Sequence, residues 1–231
     1  MRTRFAVLFP LALGACAPST PEGDGRQATA LAQLEQDTGS RWTVRYHPDL
    51  HTPAFLEGRT APLVAAPSEA GRAARAFFGT YRDLFQLASA DDLDEDAIES
   101  DELGMTHVRF LQSVGGVPVR GRELTVHFDA SGALVRIHGR AAPVALADPT
   151  PVTSVEDARA AAVTAASPMV RDANGDAIPV VAGQPQLVVD ADAGPPRLAW
   201  AVEVSVDDPA AVAHAEILVD ARKGVPYRTL D

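Results

Sequence analysis

The sequence predicts an α+β protein of two successive helix-plus-antiparallel-sheet subdomains, and three patterns predict it. Ala70, Ala73, Ala74, Phe77, Phe78, Tyr81, Leu84 and Phe85 recur at steps of three and four, the apolar stripe of a helix over residues 68–87. Leu124, Val126 and Phe128 alternate with Glu123, Thr125 and His127, the period of a strand with one buried and one wetted face. After a Pro- and Ala-rich stretch at 141–151, a helix followed by alternating strands starts again.

The chain opens as an export signal. Arg2 and Arg4 precede an apolar run at 5–13, interrupted only by Pro10, and the small residues Gly14 and Ala15 follow. The run is too short to cross a bilayer as a helix. Leu13-Gly14-Ala15-Cys16 resembles the bacterial lipobox, which implies cleavage behind Ala15 and diacylglycerol on Cys16. Cys16 is the one cysteine in the chain, so no internal disulfide can form. Lipid there would hold the protein at a membrane, and Ala17, in place of an acidic residue, points to the outer membrane or cell surface. Residues 16–40 read as a tether, polar and Pro/Gly-rich at 17–26, with a possible short helix at 28–36 ending near Gly39.

Residues 41–46 alternate Trp42, Val44 and Tyr46 against Arg41, Thr43 and Arg45 and predict a half-buried strand. Ser68, following Pro67, is the expected cap of the aromatic helix. The acidic stretch 91–102 reads as a solvated connection. Strands are expected at 106–112, 117–128 and 133–138, with Gly115-Gly116 closing one hairpin and Asp129-Ala130-Ser131-Gly132 the next. In the second half, Thr153-Ser154-Val155-Glu156 fits a capping box opening a helix to about Ala166. Strands follow at 186–190, 198–206, 214–221 and 225–229, and Trp200, Val202, Val204 and Val206 share one face.

Loss of the two signal arginines takes the formal charge from −11 to −13, which disfavours nucleic acid or anionic lipid as a partner. No enzymatic chemistry is expected, nor any metal or other cofactor. None of the six histidines, His47, His51, His107, His127, His138 and His214, begins a His-Glu-x-x-His zinc motif. His47 and His51 have the four-residue spacing, but Pro48 and Pro53 argue against a helix. His107 and His127 fall on strands, where hydrogen bonding across the sheet is the expected role, and no serine or cysteine nucleophile is motif-linked to them. Asp172-Ala173-Asn174-Gly175-Asp176 starts like a calcium loop, yet Val181 stands where a carboxylate is needed, so a tight turn is expected.

Gly104, His107, Arg109, Phe110 and Gln112, then Gly116, Val117, Pro118, Val119 and Gly121, then His127 and the turn to Gly132, lie in an order that resembles the fungalysin/thermolysin propeptide family. Residues 150–231 resemble a PepSY domain through the helix at 155–166, Trp200, and the Asp220 to Gly224 turn. The resemblance implies a propeptide-like domain at 41–142 and a PepSY-like domain after it, both cystatin-like. The order is that of the prosegments of thermolysin-like zinc metalloproteases, which assist folding of the enzyme and occupy its cleft.

The expected function is therefore that of a lipid-anchored, extracytoplasmic, prosegment-like protein that binds, inhibits or assists folding of a secreted thermolysin-like metalloprotease. Tyr227, Leu230 and Asp231 are the expected cleft segment. Two alternatives stay open: a remnant or fragment of a protease precursor without its catalytic domain, and a non-enzymatic surface lipoprotein that binds peptides at sheet edges.

Overall fold

The computed structural model describes residues 24–171, 175–192, 194–206 and 214–230. Cys16, Ala15 and Asp231, and positions 172–174 of the calcium-like stretch, lie outside the described residues.

Helix α1, Gly25–Thr38, begins earlier and runs further than the expected short helix. Asp24 explains its start: the carboxylate accepts from the Arg26 and Gln27 amides, and the Gln27 side chain returns to the Asp24 amide at 2.9 Å. Gly39, at φ 62°, ends it. Leu34 is fully buried, and the Gln27 carboxamide donates to the carbonyls of His51 and Leu84 at 2.8 and 3.0 Å. Residues 25–40 therefore belong to the first folded half and are not tether.

Strands β1, Thr43–Tyr46, and β2, Pro53–Glu57, form a short hairpin. The long aromatic helix is two pieces, α2 at Ala70–Thr80 and α3 at Arg82–Phe85, because Tyr81 leaves helical geometry at φ −110°, ψ 28°. A 3₁₀ turn, Pro67–Glu69, leads into α2, so Ser68 lies inside that turn and makes no cap. The aromatic stripe packs as expected: Phe78 meets Phe85 and Phe110 edge-to-face at centroid distances of 5.1 and 5.7 Å.

The acidic stretch is a strand and not a loop. β3, Leu93–Ser100, pairs with β4, Thr106–Val114, from Leu93 opposite Gln112 to Ser100 opposite Thr106. β3 is an edge strand, and its carboxylates project to solvent, which discourages pairing with another chain. β5, Val117–Phe128, and β6, Leu134–Arg140, complete the first sheet in the order β1-β2-β6-β5-β4-β3.

Helix α4, Val155–Ala166, is capped by Ser154, whose hydroxyl accepts the Asp157 amide at 3.0 Å. The cap thus sits one residue later than the Thr153 box implies. α4 lays Ala158, Ala162 and Ala166 against β9, Arg197–Val206, and β10, His214–Asp220. β7, Val180–Ala182, and β8, Gln186–Asp190, pair along one edge of β9, and β11, Pro226–Leu230, pairs with β10.

The described residues thus form an α+β fold whose strands are almost all antiparallel. β5 belongs to both cores. Val117 and Val119 pack into the second, while Leu124, Val126 and Phe128 pack into the first. Gly121, at φ 64°, makes the change possible: before it the odd positions are buried, after it the even ones. A parallel bridge from Val119 to Val189 joins the two halves, so the boundary read at 142–150 does not divide the cores cleanly.

Candidate functional site: a histidine row on the solvated sheet face

Val108, Val126 and Ile137 stand opposite one another on β4, β5 and β6 and are buried against the helices. Neighbouring side chains alternate, so positions one step away must face solvent. His107, His127 and His138 occupy that outer face. His107 and His127 are direct cross-strand partners, while His138 sits diagonally, opposite Thr125.

The three rings touch in series. His107 Nδ1 lies 2.6 Å from His127 Nδ1, and His127 Nε2 lies 2.9 Å from His138 Nδ1. His107 Nε2 reaches the Asp101 carboxylate at 3.2 Å. The first pair of rings meets edge-on and the second pair is stacked.

Asp101 is fixed by the β3–β4 turn. Its carboxylate accepts the amides of Leu103 and Met105, both at 2.9 Å. These amides, Met105 first, and the His107 imidazole hold its carboxyl below the ordinary value. His127, in the middle, is pushed down to about 4, first by burial and then by the neighbouring His138, His107 and Arg136, with Asp101 opposing. Arg136 continues the face and pairs with Glu57 at 2.8 Å. Arg45 and Arg136 both cover the Phe55 ring, their guanidinium carbons 4.3 and 5.4 Å from its centroid.

The remaining motif positions take structural places. Arg109 pairs with Asp96 of β3. Gln112, buried, exchanges two hydrogen bonds with the Ala142 backbone at 2.7 and 3.0 Å. Gly116 shares the two-residue β4–β5 turn with Gly115 at φ 78° and 59°, and Pro118 is exposed on β5 just after it. Gly132 closes the β5–β6 turn at φ 80°, where a Cβ would lie 2.0 Å from the Val64 carbonyl oxygen.

In the second half, Trp200 donates its indole N–H to the Thr153 carbonyl at 3.0 Å. Asp220 accepts the amides of Arg222 and Lys223, and Gly224, at φ 68°, closes that turn onto the Asp220 carbonyl. Trp200, Asp220 and Gly224 therefore do not share the surface of the histidine row.

Tyr227 and Leu230, the expected cleft segment, lie in the last strand, where a strand is expected at 225–229. They belong to β11 and pack on the face of the second sheet that carries Val188, Ala199 and Leu218. The Tyr227 hydroxyl donates to Asp190 at 3.0 Å, and Arg228 reaches the same carboxylate at 3.1 Å. Burial and the Asp190 charge raise the Tyr227 pKa.

Among the described residues, no group of three His, Cys, Asp or Glu side chains is arranged to hold a metal ion. His47 forms a tight turn with His51: its Nδ1 accepts the Asp49 amide at 3.2 Å, and its carbonyl accepts the His51 amide at 2.9 Å. The sequence pattern does not single out Asp101 or His138 as partners of the row. Alternation alone places His138 on the outer face, but its meeting with His127 depends on strand register.

No curated protein matches the chain. Among solved structures, the YpeB C-terminal domain of Bacillus megaterium is similar at 12% identity, with 91% of this chain and 98% of that chain covered and a TM-score of 0.39. The Fungalysin/Thermolysin Propeptide Motif matches residues 97–141, the stretch that carries Asp101 and all three histidines of the row.

Proposed function

We propose that the chain is a prosegment-like protein that binds a secreted thermolysin-like zinc metalloprotease and inhibits it or assists its folding. The observation that carries this reading is the match to the propeptide motif at 97–141. The matched residues run from within β3 through β6 of the first sheet. The second half, with α4 on β9 and β10, is read as a PepSY-like partner of the first, each half cystatin-like in plan.

The place of action follows from residues 1–16. Cleavage behind Ala15 and lipid on Cys16 would hold the folded part at a bacterial membrane, the outer membrane or the cell surface, where an exported protease emerges. With Asp24 capping α1, residues 17–23 would be the tether.

The protein surface offered to an enzyme includes β11 as an open sheet edge, which can pair with an extended segment of a partner. The purified chain is tested in molar excess against a secreted thermolysin-like protease from the same source. Slowed peptide hydrolysis, or a higher yield of active enzyme on refolding, is expected. Full activity together with an unchanged refolding yield would remove the proposal. For the anchor, mass spectrometry of the membrane fraction should find the diacylglyceryl adduct on Cys16, and Cys16→Ser should release the protein.

A further inference from the structure

The histidine row has a direction, and the direction follows from counting protons. Each ring-to-ring hydrogen bond needs one N–H facing one lone pair. The Asp101 carboxylate can only accept, so neutral His107 carries its proton on Nε2 and leaves Nδ1 as an acceptor. His127 must then donate from Nδ1, which leaves its Nε2 as a lone pair. His138 in turn donates from Nδ1 to that nitrogen, and its own Nε2 is the open end of the row. All three rings are neutral and every hydrogen bond is satisfied, in the order His138 to His127 to His107 to Asp101.

A proton arriving from solvent has one open position, Nε2 of His138. The His138 Nδ1 proton can pass to His127 Nε2, and the His127 Nδ1 proton to His107 Nδ1. The net change is one proton added and the positive charge delivered to His107 beside Asp101, and every hydrogen bond of the row is kept. A second proton has no such place. With His107 and His138 both cationic, neutral His127 has one N–H and one lone pair for two facing N–H groups, so one of its two hydrogen bonds must open. The His107–His127 pair, at 2.6 Å, is the closer and the more sensitive to repulsion.

We propose that Asp101, His107, His127 and His138 form a directional proton wire that acts as an acid-sensitive latch on the solvated face of the first sheet. It takes up one proton without rearrangement and parts His107 from His127 on the second. The depressed basicity of His127 agrees with a central ring that charges last.

Charged groups from the neighbouring elements also face the row. From β3, Glu99 stands opposite His107 and Asp96 is held by Arg109 of β4. From the β3–β4 turn, Glu102 is exposed, and on β5 Glu123 is exposed opposite Arg140 of β6. From β6, Arg136 stands opposite His127 and is paired with Glu57 of β2. From β1, Arg45 lies over Phe55, which is opposite His138. The inner side of the row is the apolar core of Val108, Val126 and Ile137. The latch is independent of whether a protease is the partner.

Imidazole ¹⁵N–¹H correlation spectra of the ¹⁵N-labelled full chain test this directly. At neutral pH, His107 should carry its proton on Nε2, and His127 and His138 on Nδ1. On acidification the row should titrate in two separated steps: the first should move the His127 proton from Nδ1 to Nε2 with the His107–His127 coupling kept, and the second should abolish that coupling. Asp101→Ala should mix the two tautomers of His107, while Asp101→Asn, which keeps an acceptor oxygen, should retain the wild-type pattern. A single step in which His127 titrates together with His47 and His51 would overturn the proposal. So would tautomers in Asp101→Ala identical to those of the wild type when the amide spectrum shows the sheet intact.

Discussion

Gln112 and Ala142 are joined by both ends of one carboxamide: Gln112 Nε2 donates to the Ala142 carbonyl, and the Ala142 amide donates back to Gln112 Oε1. The chain beyond β6 thereby gains the hydrogen bonding of a strand without being one. Because both groups of Ala142 are buried, Gln112→Ala strands a donor and an acceptor together. The expected loss is about 2–4 kcal/mol. Urea unfolding should show a lower midpoint at unchanged slope. An unchanged midpoint would mean that water replaces the carboxamide freely.

How much of the fold and the site is legible in the sequence varies with the kind of information required. Alternation in β5 and the aromatic spacing of α2 and α3 lie within one segment, and both are readable. β3 is not, because Asp94, Glu95, Asp96 and Glu99 have poor strand propensity and the strand exists through its pairing with β4. The break at Tyr81 leaves the apolar period intact and so is silent in the pattern. Asp101 and His138 join the candidate site only through strand register and turn geometry. The strand at 225–229 is legible, but that Tyr227 and Leu230 pack on the sheet face beside Val188 and Leu218 is not, because that depends on strand register.

The shared strand β5 predicts cooperative unfolding of the two halves. Val117 and Val119 come from the first half of the chain and are buried in the second core. The chain has two tryptophans, Trp42 buried in the first core and Trp200 in the second. Trp42→Phe and Trp200→Phe each leave one reporter. Fluorescence-monitored urea titrations of the two variants, each compared with its own circular dichroism transition, should give one common transition per variant. A fluorescence midpoint that departs from the circular dichroism midpoint would show that the halves unfold independently.

Gly132 is the least replaceable position of the β5–β6 turn. Its φ of 80° disfavours any side chain, and a Cβ would meet the Val64 carbonyl oxygen at 2.0 Å. Gly132→Ala should cost about 2 kcal/mol or more and should detach the 60–64 segment first. Hydrogen exchange checks this: the Leu63 amide, which donates to the Gly132 carbonyl at 2.8 Å, should lose protection more than the centre of β5 does. Equal protection in variant and wild type would refute it.

Asp190 anchors the last strand from below. It is 4% exposed and accepts from Tyr227 and Arg228, so Asp190→Ala leaves the Tyr227 phenol without its acceptor and Arg228 with only the Asp192 carboxylate, 3.6 Å away. Breaking such a pair costs about 3–5 kcal/mol where the group left behind is fully buried, and less where it can reach water as Arg228 can. Amide exchange in 226–230 should accelerate selectively. If β11 keeps its protection, Leu230 and the β10 pairing hold the strand by themselves.

His127 sets a pH dependence whose sign can be worked out. Its folded pKa of about 4 lies below the ordinary 6.5, so between these values the unfolded chain binds a proton that the folded chain does not. Stability must therefore fall as pH drops from above 6.5 towards about 4, and His127 contributes no further change below that. The ring is only about half covered, and after discounting for solvent screening the loss is on the order of 1–2 kcal/mol, or roughly 2–8 °C in Tm. Carboxylates titrate in the same range, so the comparison has to be between proteins at each pH. The stability difference between wild type and His127→Gln should shift in favour of the variant as the pH is lowered from 7 to 4.5. A difference that stays constant across that range would show that His127 is as basic in the fold as in the open chain, and that the row exerts no strain on its central ring.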